Sequence, residues 1–172
     1  MARNIEVKAR VANLDALAPR AAALADTGPV AIVQDDTFFA CERGRLKLRV
    51  FADRSGELIH YRRPDERGPK ESLYVIAPVS APDALREALS RAYGVAGRVR
   101  KVRTLYLAGR TRIHLDRVEG LGDFLELEVV LRDGEPAEAG VEEAHGILRR
   151  LGVEPGQLVE GAYLDLIADG NR

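Results

Sequence analysis

The feature that most constrains this chain is an alternation of charged and apolar residues, at a period of two, in one segment after another. Lys47 and Arg49 alternate with Leu46, Leu48 and Val50. Arg112, His114 and Asp116 alternate with Ile113 and Leu115, and Glu126 and Glu128 alternate with Leu125, Leu127 and Val129. At the start, Asn4, Glu6, Lys8 and Arg10 alternate with Ile5, Val7, Ala9 and Val11. Side chains along a strand point to opposite faces in turn, so each segment reads as a strand with one polar and one apolar face. Further strands are predicted over residues 30–39, 57–63, 70–79 and 98–107. In the last of these Lys101 and Arg103 share a face, while Val99 is read with the apolar set although its parity is that of Lys101.

Helices are predicted between the strands. One runs from a cap at Asn13 or Asp15 to about Ala25, with Pro19 limiting how far upstream it is regular. A second covers residues 80–94, with Pro82 and Asp83 in its first turn and Leu85 and Leu89 on one stripe. A third covers residues 138–151 and is closed by Gly152, and residues 156–168 read as a terminal helical turn or two. Strands and helices do not alternate regularly. The order therefore argues against a parallel doubly wound sheet and for an α+β fold, an antiparallel sheet or barrel with helices packed outside. No repeat or long linker divides the 172 residues, so residues 1–172 read as a single domain.

Charge balance narrows the function. The 26 basic and 27 acidic residues leave a net charge of -1. A general nucleic-acid or anionic-membrane binder carries a basic excess, so neither partner is expected. Cys41 is the only cysteine, which excludes an intrachain disulfide and a cysteine-based metal cluster; it reads as a small, partly buried side chain. No apolar run approaches the length of a spanning helix and no targeting segment is apparent, so a cytoplasmic protein is expected.

If the sheet closes, its polar faces line a water-filled interior. Lys8, Lys47, Arg49, Arg63, Lys70, Lys101, Arg103 and Arg112 then converge with Glu6, Asp116, Glu126 and Glu128. So many confined cations repel one another unless anions neutralise them, and a polyphosphate has the chemistry to do so. Carboxylates suit Mg²⁺ or Mn²⁺, and Glu126 and Glu128, two apart on a strand, can address one metal. His114 lies between Arg112 and Asp116 and is a candidate to orient a carboxylate or a metal-bound water. His60 and His145 read as ordinary surface or packing residues.

These strands resemble those of the CYTH proteins, or triphosphate tunnel metalloenzymes, and most nearly the class IV adenylate cyclase-like branch. Asn4, Glu6 and Lys8 stand where the family has Glu-x-Glu-x-Lys. The run Gly44 to Arg49 resembles its Lys-x-Arg strand, and Leu58 to Pro64 with Lys70, Ser72 and Tyr74 resembles the next pair. Lys101 with Arg103, Arg112 to Asp116 and Phe124 to Glu128 resemble the later basic and metal-side strands. The resemblance implies an eight-stranded antiparallel β-barrel, a triphosphate tunnel. It implies phosphate contacts from Lys8, Lys47, Arg49, Arg63, Lys101, Arg103 and Arg112, with Lys70 a weaker member, and Mg²⁺ or Mn²⁺ held by Glu6, Asp116, Glu126 and Glu128. It further implies a small-molecule triphosphate substrate and a homodimer. Adenylate cyclase, triphosphatase and non-catalytic polyphosphate binding are the three activities it admits, cyclase first. Asn4 departs from the pattern: it keeps an acceptor oxygen but lacks the charge, which favours a site poor at activating water.

Overall fold

The structure is a computed structural model describing residues 1–171, and each alternating segment forms a strand. The elements run β1 (Ala2–Arg10), α1 (Leu14–Leu24), β2 (Thr27–Phe39), β3 (Arg45–Phe51), β4 (Gly56–Arg62), β5 (Lys70–Val79), α2 (Pro82–Tyr93), β6 (Val95–Ala108), β7 (Thr111–Val118), β8 (Gly122–Val130), α3 (Ala137–Leu151), β9 (Leu158–Val159) and α4 (Tyr163–Gly170). The ring order is β5-β4-β3-β2-β6-β7-β8-β1, and β1 pairs back onto β5. Every pairing is antiparallel. Eight strands thus close into a barrel, and closure satisfies backbone groups that an open sheet would leave at its edges.

β1 is the seam. One edge pairs with β8 from Asn4 to Arg10, and the other pairs with β5 only from Ala2 to Glu6. Beyond Glu6 that second edge is taken up by β9, with Lys8 opposite Val159 and Ala9 opposite Leu158. The sequence predicts only helical turns here. The structure places a 3₁₀ turn (Pro155–Gln157), the short strand and then α4, because the free backbone of β1 offers the chain a partner.

The apolar faces point outward and are covered. Ile5 and Val7 of β1, Ile113 and Leu115 of β7, and Leu125, Leu127 and Val129 of β8 pack against Leu14, Leu17 and Ala21 of α1 and Ala144, Leu148 and Leu151 of α3. Leu85 and Leu89 of α2 cover Phe39, Leu48 and Val50. Asn13 caps α1, accepting from the amides of Asp15 and Ala16. The helix runs a full turn ahead of Pro19, further than that residue predicts; burial of Leu14 and Leu17 offsets an interior-proline cost of about 3 kcal/mol. Cys41 is exposed in the loop between β2 and β3, not partly buried, because the hairpin connection lies outside the layer that the helices cover. His145 is exposed, and His60 is half-buried with Nε2 at 2.6 Å from the Arg43 carbonyl. No helix among the described residues is long and apolar enough to cross a membrane.

Gly140 sets how closely α3 sits on the barrel. A Cβ there would lie 2.6 Å from Ile5 Cγ1 and 2.8 Å from Leu131 Cδ2. Gly140→Val is expected to lower stability by about 2 kcal/mol through overpacking, read as a lower urea midpoint with an unchanged slope.

Candidate active site

Closure turns the polar faces into one cavity of about 280 Å³. Glu6, Lys8, Lys47, Arg49, Arg63, Lys101, Arg103, Arg112, His114, Glu126 and Glu128 all line it, as does Asn4. The sequence therefore placed most of its candidates on the correct face. Val99 also faces inward, with Lys101, and packs against Phe38 and Tyr163 instead of joining the outer apolar layer.

The cations are held by three anionic centres. On the β2–β3 wall, Asp36 accepts from Lys47 Nζ at 2.9 Å and from Arg49 Nε and Nη2 at 2.8 Å. On the β6–β7 wall, Asp116 takes a bidentate pair from Arg103 at 2.7 Å, lies 3.4 Å from Lys101 Nζ and accepts the Tyr163 hydroxyl at 2.7 Å. Around β8 and β1, Glu126 accepts from Arg103 at 3.0 Å and lies 3.3 Å from Lys8 Nζ. Glu128 is 2.7 Å from Arg112, and Glu6 is 2.9 Å from Arg63.

These contacts move proton affinities. Burial alone would raise the Asp36 carboxyl, but Arg49 and Lys47 outweigh it and hold the group well below the carboxylate range. Burial likewise opposes ionisation of Glu126, and Lys8 and Arg103 reverse the effect. Glu6 goes the other way: burial raises it, and Arg63 only partly compensates. Burial and the neighbouring Arg103 lower Lys101 to about 7, and the same two causes lower His114.

His114, Glu126 and Glu128 offer ligand atoms within 4.8 Å of one another. The imidazole is kept neutral, so it has a lone pair to give, and the two carboxylates supply hard oxygens. This donor set fits a divalent cation. Asp116 and Glu6, both expected as metal ligands, are not in the cluster: the Asp116 oxygens are taken by Arg103 and Tyr163 toward the closed end of the barrel, and Glu6 is paired with Arg63. Lys70 also departs from its expected role. It is buried, but its Nζ turns to the carbonyls of Glu66, at 2.6 Å, and Gly68, and it does not line the cavity. The β4–β5 connection folds over it and offers acceptors closer than the lumen.

The lining residues that escaped the sequence reading include Asp36, Gln34 and Tyr163. Asp36 and Gln34 lie on β2, where polar residues at adjacent positions (Gln34-Asp35-Asp36) hide the alternation. Asp35 faces outward to Arg98 while Asp36 faces inward. Tyr163, at the start of α4, closes one end with Phe38, Val99, Val118 and Phe124, under Lys8 at 4.1 Å and Lys101 at 4.7 Å from its ring centre.

A model of the CYTH domain matches residues 2–163. The chain belongs to the CYTH family. Among solved structures, a Pyrococcus horikoshii protein, PH1012, superposes with a TM-score of 0.86 at 27% identity, covering 95% of this chain and 99% of that one. The Hippeastrum protein HpAC1, assigned as an adenylyl cyclase and described as having a dominant triphosphatase activity, has a TM-score of 0.69 at 16% identity, over 99% of this chain and 96% of that one; at that identity the likeness is one of fold. A candidate adenylate cyclase of Methanocaldococcus jannaschii is 35% identical over 68 residues, a stretch that spans 40% of this chain and 39% of the relative's length. The CYTH tunnel of this chain thus carries a metal-competent cluster within the same cavity as a convergent set of cations.

The ion pairs that furnish the tunnel also bear on its stability. Asp116→Asn leaves Arg103 and Lys101 buried without a full counter-charge, and is expected to cost about 3 kcal/mol in urea unfolding. Asp35→Asn removes an outward-facing partner of Arg98, and should cost under about 1 kcal/mol. Equal losses would show that the lumen pairs are not electrostatically distinct from the surface ones.

Proposed function

We propose that this CYTH protein is a Mg²⁺- or Mn²⁺-dependent adenylate cyclase, converting ATP to cyclic AMP and pyrophosphate. The observation that carries the reading is the opposition, within one cavity, of the His114–Glu126–Glu128 cluster to Lys47, Arg49, Lys101 and Arg103. The cations hold the phosphate chain and stabilise charge on the departing pyrophosphate. The metal, held by Glu126, Glu128 and His114, would polarise phosphoryl oxygen. Glu6, opposite Glu128 in the β1–β8 register and with its carboxyl raised by burial, would accept the proton of an attacking hydroxyl. Asn4, neutral where the family pattern has a carboxylate, supports cyclisation over activation of water.

Hydrolysis of a triphosphate is the second reading, and the activity described for the Hippeastrum relative supports it. One assay separates the two. With Mn²⁺ and ATP, cyclic AMP and pyrophosphate should appear in equal amounts. Orthophosphate without cyclic nucleotide, from ATP, thiamine triphosphate or tripolyphosphate, would replace the cyclase with a triphosphatase; binding without any product would leave a polyphosphate-binding module. Glu126→Gln and Glu128→Gln should each abolish turnover and weaken Mn²⁺ binding while retaining the fold by circular dichroism.

Lys101 gives the binding step a pH signature. In the empty tunnel burial and Arg103 lower it to about 7, so at pH 8 it is largely neutral. Arriving phosphate oxygens favour its charged form and raise that value, so binding at pH 8 takes up a proton, whereas at pH 6 the proton is already present. Calorimetry of tripolyphosphate binding in buffers of different ionisation enthalpy should show uptake at pH 8 that shrinks at pH 6 and is lost in Lys101→Met. Buffer-independent enthalpy at pH 8 would contradict the assignment.

A further inference from the structure

The last helix of the chain reaches into the tunnel. Ala162 and Tyr163, at the start of α4, line the cavity. Three contacts with the barrel fix where that helix begins. Arg45 pairs with Asp165 through both terminal nitrogens, at 3.2 and 2.6 Å, and Arg63 Nη2 donates to the Gly161 carbonyl at 3.0 Å. Leu164 packs over Gly97, where a Cβ would collide with it. The Tyr163 ring is then held on two sides. Its hydroxyl donates to Asp116 at 2.7 Å, and Phe124 meets it edge to face at 5.0 Å between ring centres.

Two of the tunnel's cations lie over that ring, Lys8 Nζ at 4.1 Å and Lys101 Nζ at 4.7 Å from its centre. They come from β1 and β6, which β7 and β8 separate in the barrel, so no strand pairing aligns them. Their carboxylate contacts are long, 3.3 Å from Lys8 to Glu126 and 3.4 Å from Lys101 to Asp116. Lys47, Arg49 and Arg103 approach theirs to between 2.7 and 2.9 Å. Charge-assisted hydrogen bonds are about 2.7–2.9 Å long, so Glu126 and Asp116 neutralise Lys8 and Lys101 without orienting them. A lysine's flexible stem gives it many other places to go. What lies against both ammonium groups is the ring, whose face attracts a cation most strongly where water is excluded. Both side chains are in such a place, only 5% and 4% exposed.

We propose that Tyr163 is a positioning residue for polyphosphate binding, its ring fixing the ammonium groups of Lys8 and Lys101 at the closed end of the tunnel. The inference rests on the triphosphate reading above and adds to it a part for α4. The ring acts through the two lysines. It spares them the ordering that binding a phosphate would otherwise demand. Being uncharged, it also holds two like charges without a further carboxylate, which would compete with phosphate oxygens for both.

The test is calorimetric titration of inorganic tripolyphosphate at pH 6, where Lys101 already carries its proton, with the fold of each variant checked by circular dichroism. Tyr163→Leu, which keeps apolar bulk but has no aromatic face, should weaken binding about tenfold. Tyr163→Phe, which keeps the ring and loses only the hydroxyl, should stay within about threefold of wild type. Introduced into Lys101→Met or into Lys8→Met, Tyr163→Leu should cost about threefold or less, since a residue acting through those lysines is not additive with their removal. Should Tyr163→Leu fail to fold, Tyr163→Met carries the same expectations. Equal losses for Tyr163→Leu and Tyr163→Phe, an undiminished loss in both lysine backgrounds, or no loss at all, would overturn the positioning role and leave Tyr163 a plug in the end of the barrel. Failure of wild type to bind tripolyphosphate, with or without Mn²⁺, would overturn the triphosphate reading itself and this inference with it.

Discussion

Mutual neutralisation of buried charge is the constraint on which the rest of this structure depends. The barrel confines Lys8, Lys47, Arg49, Arg63, Lys101, Arg103 and Arg112 around one small cavity. Left unpaired, such groups would lose protons or open the fold, because desolvation disfavours the charged form and like charges reinforce that penalty. Asp36 and Asp116 are the fixed counter-charges. Each is almost fully buried, each binds an arginine through both carboxylate oxygens, and each has a lysine as a further neighbour. Bidentate geometry is what makes a buried pair tolerable, since it satisfies both charge and hydrogen-bonding capacity.

The remaining carboxylates are held differently. Glu6, Glu126 and Glu128 each share their cations with open space in the lumen, and Glu126 and Glu128 converge with His114. In the empty tunnel the internal ion pairs compensate most of the buried cations. Helices α1, α2 and α3 have no part in that chemistry. They cover the outer faces, and they let the sheet spend its polar side on the interior. A fold by itself does not select a reaction; what this barrel fixes is which cations and carboxylates face one cavity.

Much of this was legible in the chain because the period of two is a local property. Over residues 45–50 of β3, 112–116 of β7 and 125–129 of β8, charged or polar residues alternate with apolar ones without interruption, so both the strands and their polar faces could be read directly. Where the alternation is broken the reading failed. The run Gln34-Asp35-Asp36 carries polar residues to both faces, and the counter-ion of Lys47 and Arg49 was missed. Val99 has the parity of Lys101 but the chemistry of the outer layer; parity won, because the closed end of the lumen is apolar and Phe38 and Tyr163 receive it. Lys70 also has a strand-like setting, yet its long flexible stem reaches loop carbonyls that no periodicity reveals. His114 was assigned a supporting role, and only its distance from Glu126 and Glu128 makes it a ligand candidate.

The sequence by itself determined the strands, the sign of each face, the set of cations and the family resemblance, since all of these follow from residue identity and spacing along the chain. Tertiary structure alone decided which carboxylates are counter-ions and which are free for metal, because that depends on which face each carboxylate takes and which cation of the neighbouring strand reaches it. It also decided that β9 continues the β1 seam and that Tyr163 closes one end. The contacts of Lys8 with Val159 and with Tyr163 join residues more than a hundred positions apart. Their energies come from closure of the ring and exclusion of water, which no local pattern encodes.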